Sequence, residues 1–134
     1  MSDDLYINGK FTAQPTTGVQ RVASRLVQAL DARPQGLPVR CVLLCPPGGR
    51  PPALQRIECV FIGRRGEPLH WWEQWRLPRA ARGGCLLNLA GSAPWWARRQ
   101  VCMIHDAAVF DRPEAYAPAF VRWYRALFGH LARS

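Results

Sequence analysis

Two short stretches place chemically capable residues at positions where a chain can present them. Thr17-Gly18-Val19-Gln20-Arg21 opens an amphipathic helix, and His105-Asp106 ends the apolar run Val101-Cys102-Met103-Ile104. A glycine at the mouth of a strand-loop-helix unit lets backbone N–H groups approach an anionic ligand at the positive end of the helix. An imidazole at a strand end either serves as an acid, base or hydrogen-bonding group, or is satisfied by a neighbouring carbonyl. Two such strand ends in one sheet imply a shared crevice. Gly18 falls short of a dinucleotide fingerprint, because no G-x-G-x-x-G and no suitably placed acid accompany it.

The elements that must position these residues are legible from periodicity. Leu5 to Ile7 is a short strand running into Asn8-Gly9. Thr17 is a candidate N-cap, after which Val19, Val22, Ala23, Leu26, Val27 and Leu30 mark one helical face, stopped by Pro34 and Gly36. Val39 to Cys45 and Ile57 to Ile62 read as strands buried on both faces. Leu69 to Leu77 reads as a short helix with Trp71, Trp72 and Trp75 on one side, ended by Pro78. Cys85 to Leu89 and Gln100 to Ile104 complete the strands. Pro118 opens a last helix that turns Phe120, Val121, Tyr124, Leu127, Phe128 and Leu131 inward. Alternating strands and helices predict a doubly wound, mostly parallel α/β sheet.

At 134 residues the chain suits one α/β unit, 1–134, and is too short for two full domains. A formal charge of +9 favours an anionic partner: nucleic acid, a phospholipid surface or a phosphorylated substrate. The basic residues are all arginine except Lys10, and they are spread along the chain rather than gathered on one predicted element, which places nucleic acid behind the other partners. Five cysteines, an odd number lying in or beside apolar strands, read as free thiols of a reducing compartment. Cys41 and Cys45 bracket a strand rather than a knuckle turn, so no zinc site is expected. The acidic start Met1-Ser2-Asp3-Asp4 lacks a leader pattern, and no apolar run reaches membrane-spanning length; a cytoplasmic location follows. Tryptophans beside arginines (Trp71, Trp72 and Trp75 with Arg76, Arg79 and Arg82; Trp95-Trp96 with Arg98-Arg99) suit either a core with solvated cations, the reading favoured here, or peripheral contact with an anionic membrane.

Taken in order, several motifs resemble the N-terminal half of a GT-B fold glycosyltransferase of family 4, the group 1 glycosyltransferases. They are Asn8-Gly9-Lys10-Phe11; Thr17-Gly18-Val19-Gln20-Arg21; Trp72-Glu73-Gln74 with Leu77-Pro78; Leu86-Leu87-Asn88-Leu89 ahead of Pro94; Ile104-His105-Asp106-Ala107-Ala108-Val109-Phe110; Pro113-Glu114; and Phe120 with Trp123-Tyr124-Arg125. The resemblance implies a Rossmann-like acceptor-side domain of an enzyme that transfers sugar from a nucleotide-sugar donor to a glycan or lipid-linked acceptor. It implies retention of anomeric configuration and no cofactor or metal.

By the same resemblance Gly18 would lie near the donor phosphates. His105 would face the transferred sugar, stabilising charge at the anomeric carbon or bonding a hydroxyl. Asp106, a cleft neighbour, would join His105 as a catalytic residue, and Thr17 and Arg21 would join Gly18 in binding the donor phosphates or the acceptor. The family's donor site carries two glutamates with seven residues between them, and Glu58, Glu67, Glu73 and Glu114 do not have that spacing. The chain is therefore expected to be a truncated, acceptor-side piece, inactive by itself. The alternative is a basic nucleic-acid-binding or non-enzymatic interaction module.

Overall fold

The computed structural model describes residues 3–105, 114 and 117–133. Asp106 and the side chain of Phe120 lie outside them. Among the described residues the molecule is α/β, with an all-parallel five-stranded sheet: β1 (Leu5–Asn8), β2 (Cys41–Cys45), β3 (Glu58–Phe61), β4 (Cys85–Asn88) and β5 (Gln100–Cys102). Their order across the sheet is β3-β2-β1-β4-β5, compatible with a Rossmann-like fold. The chain starts in the middle, builds outward through β2 and β3, then crosses to the far side of β1 for β4 and β5. The order therefore reverses between β1 and β4.

Helices cover both faces. The first, α1 (Gly18–Asp31), presses Ala23 and Val27 onto a cluster of Ile7, Phe11, Leu43 and Ile57. On the other face Val42, Leu44 and Leu86 meet Trp72, Leu77 and Ala81. Strand β2 lies between these layers and is buried at all five positions, as its unbroken apolar run requires. Each fully buried Leu or Ile contributes about 1.5–3 kcal/mol, so both layers are needed to hold the sheet.

Three expectations need correction. Strand β3 is not buried on both faces; it is an edge strand with Glu58 and Phe61 exposed, because only β2 pairs with it. Helix α1 buries a narrower stripe than its periodicity suggests, leaving Val22 exposed.

The third concerns the tryptophan helix. Pro78 does not end it: the helix, α2, consists of α-turns Leu69–Trp71 and Leu77–Ala80 joined by a π-turn, Trp72–Arg76. The Leu77 N–H donates to the Trp72 carbonyl, five residues back. A π-turn widens the helix, relieving the clash a proline makes with the preceding turn. It also shifts the helical phase. Trp72, Glu73 and Gln74 become consecutive buried residues, while Trp71, Trp75 and, in the loop after β4, Trp96 stand 54%, 39% and 66% exposed. The reading of these tryptophans as core holds for Trp72 alone among those four. Its indole N–H donates to the Ile62 carbonyl at 2.9 Å.

The last helix, α3 (Pro118–Arg133), starts at Pro118 as its sequence predicts and buries Val121, Leu127 and Phe128. Rings fasten it: Trp123 meets His70 edge-on, and His130 stacks on Trp95 while its Nε2 sits 2.9 Å from the Trp95 carbonyl. None of the helices among the described residues is long and apolar enough to cross a membrane.

Candidate functional site

The carboxyl ends of β1 and β4 flank the reversal of strand order, the place where doubly wound sheets open a ligand crevice. Each strand ends there in asparagine. Asn8 and Asn88 lie one step beyond the Ile7–Leu87 pair, and both are buried. Asn8 Nδ2 donates to Asn88 Oδ1 and to Glu73 Oε2, each at 2.9 Å. Glu73, brought inward by the π-turn and 1% exposed, also accepts from Ser92 Oγ at 2.8 Å and from Lys10 Nζ at 3.1 Å. Asn88 Nδ2 continues the network to Gln100 Oε1 and the Val101 carbonyl.

Every Glu73 oxygen thus has a donor, and its charge is compensated by the lysine, as a buried carboxylate requires. Saturated in this way, Glu73 is a strut that ties α2, β1 and the loop after β4 together rather than a base open to substrate. Gln74 does similar work beside it, donating to the Ala93 carbonyl and accepting from the Trp95 N–H. Burial, with the nearby Glu73 charge second and Cys102 third, pushes the Tyr124 phenol above its usual range.

His105 follows β5 at the same end of the sheet. Its Nε2 lies 2.6 Å from the Leu89 carbonyl, and Cδ2 faces Gly91, which turns the chain at φ +80°. A carbonyl only accepts, so Nε2 carries the hydrogen and Nδ1 is the acceptor of the neutral ring. The ring is oriented by the chain itself, which leaves Nδ1 as its second hydrogen-bonding atom.

Thr17 caps α1, and its N–H donates to Gln20 Oε1 at 3.1 Å. Gly18 is the first residue of α1, with open space where a Cβ would be. Arg21 lines a separate cleft of about 520 Å³ together with Gln14, Gln20, Arg25 and Arg50. Gly18 and His105 both follow carboxyl ends of parallel strands, but neither lines that cleft, and Asp106 lies outside the described residues.

Sequence reasoning gave no role to Asn8, Glu73, Asn88 or Ser92. A polar residue closing each of two apolar strands was the available signal. All five cysteines are free, with Cys41 and Cys45 buried. Among the described residues no group of three or more His, Cys, Asp or Glu side chains is arranged so that it could hold a metal ion. In comparisons with protein-family models, with curated proteins and with solved structures, nothing matches this chain.

Proposed function

We propose that the chain is the acceptor-side, Rossmann-like half of a retaining GT-B glycosyltransferase, holding a glycan or lipid-linked acceptor that receives sugar from a nucleotide-sugar donor. The observation that carries this reading is spatial. Three of the stretches on which the family resemblance rests, Asn8-Gly9-Lys10, Trp72-Glu73-Gln74 and the strand ending in Asn88, meet in one buried network at the strand-order reversal. The roles are divided accordingly. The Asn8–Glu73–Asn88 network fixes the rim, His105 offers Nδ1 to a sugar hydroxyl, and Thr17-Gly18 presents the start of α1. Donor binding and transfer belong to a second domain.

A lipid-linked acceptor would bring the protein to an anionic membrane from the cytoplasmic side. Trp96, exposed beside Arg79, Arg82 and Arg98 in a cleft of about 560 Å³, has the mixed apolar and cationic character of such a contact, but it lies at the amino ends of β4 and β5, opposite the rim, so it would anchor the protein rather than deliver the acceptor to His105.

Saturation-transfer NMR of the full chain with a panel of neutral oligosaccharides tests the acceptor reading. Binding of a subset, lost in His105→Ala while the fold persists, is the expected outcome. A folded chain that binds none of the panel contradicts it.

A further inference from the structure

Resting on the acceptor-side reading, we infer that the cleft beside α1 is a binding site for the phosphoryl or diphosphoryl group of the acceptor. Arg21 and Arg25 sit four residues apart on one helical face, and Arg50 reaches the same cleft from the loop after β2. Among the described residues that line it none is acidic, whereas Thr12, Thr16, Gln20 and Ser24 add neutral polar groups. Like charges at this helical spacing repel, and a third cation sharpens the repulsion. A multiply charged anion turns that cost into attraction, and guanidinium forks match phosphate oxygens two at a time.

The scaffold under Arg50 is fixed before any ligand arrives. The Arg50 N–H donates to the Thr12 carbonyl at 2.9 Å, and the Gly49 N–H to the Pro46 carbonyl at 3.0 Å. Thr12 Oγ1 donates to the Gly9 carbonyl at 2.7 Å and fills the space a Cβ on residue 49 would occupy. Thr12 is itself buried, so the turn Lys10–Ala13 and the loop after β2 form one clamp. The guanidinium groups need only close on the ligand.

The test is calorimetric titration of the full chain with inorganic pyrophosphate, a hexose 1-phosphate and the free hexose, repeated with Arg21→Gln, Arg25→Gln and Arg50→Gln. Vesicles carrying a polyprenyl diphosphate form a further arm that separates a lipid-borne from a soluble source. Pyrophosphate and hexose 1-phosphate should bind, and each substitution should weaken pyrophosphate by about tenfold or more, the loss of one charge-assisted contact. Retention on the vesicles that the same variants lose identifies a lipid carrier; binding of the soluble phosphates alone identifies a soluble one. Pyrophosphate binding unchanged in all three variants, or absent, overturns the proposal. Binding of neutral glycans without pyrophosphate would leave the acceptor reading standing and remove the phosphate site, whereas pyrophosphate binding without any glycan would do the reverse.

Discussion

Asn8 and Asn88, eighty residues apart, end neighbouring parallel strands and are joined side chain to side chain at 2.9 Å. This bond spans the line where the strand order reverses. Through Glu73 it also fastens the sheet to α2, so the geometry of the rim depends on polar contacts that an apolar core alone would not specify.

Glu73→Ala should cost about 3–5 kcal/mol, because it strands Lys10 beside the unpaired donors of Asn8 and Ser92. Glu73→Gln should cost less but remain destabilising, since its amide replaces one acceptor with a second donor. Urea unfolding measures both. A Glu73→Ala midpoint equal to that of the parent chain would show that the network does not hold the fold.

Asp31 closes α1 and accepts the backbone N–H groups of Gln55, Arg56 and Ile57 at 2.7–2.8 Å. Burial raises its pKa, but the three N–H groups and the Arg56 charge outweigh it, and the net shift is downward. A carboxyl with a lowered folded pKa contributes stability above its unfolded value near pH 4 and loses it as pH falls through the folded value. Asp31→Ala should therefore destabilise by about 2–3 kcal/mol at pH 7, and the difference from the parent should shrink below about pH 4. Thermal melts across that range check the sign.

Two glycines should behave oppositely. A Cβ on residue 9 would overlap the Leu44 carbonyl, so Gly9→Ala must push β1 from β2 and should lower the melting temperature. At residue 18 a Cβ meets nothing, and Gly18→Ala should hold or raise stability by about 0.4–1 kcal/mol. If the chain is the glycosyltransferase half proposed above and the start of α1 receives a phosphate by close approach, that same substitution weakens nucleotide-sugar binding without any loss of fold.

Burial pushes the thiols of Cys41, Cys45 and Cys102 up to about 11. At pH 8 their alkylation should run about a hundredfold slower than that of a free cysteine, and denaturant should abolish the difference. Mass spectrometry of iodoacetamide-treated protein at timed intervals reads this residue by residue.

Much of the fold was legible because strong local signals agreed with it. The run at Val42-Leu43-Leu44 demanded a strand covered on both faces, Thr17 and the stripe through Ala23 and Val27 set α1, and Pro118 opened α3. What periodicity could not carry was phase. The π-turn at Trp72–Arg76 rotates Glu73 inward and Trp75 outward, and only Pro78 hinted at the irregularity. Nor could it carry long-range pairing. Ile57 to Ile62 is apolar at all but Glu58 and so reads like a central strand, but its place at the edge follows from strand order. At the site, strand-end His105 was visible from its context, whereas the Asn8–Glu73–Asn88 network joins residues 65 and 80 positions apart and exists only once the sheet is assembled.

The central claim, that the carboxyl rim around the β1–β4 boundary receives the acceptor, is tested most directly by 15N-resolved NMR titration of the full chain with an oligosaccharide that binds it. Shifts concentrated at Lys10, Gly91 and His105, with Gly83 and Arg98 at the opposite end of the sheet unmoved, are the predicted result. Shifts confined to Gly83 and Arg98, with the rim silent, would contradict it.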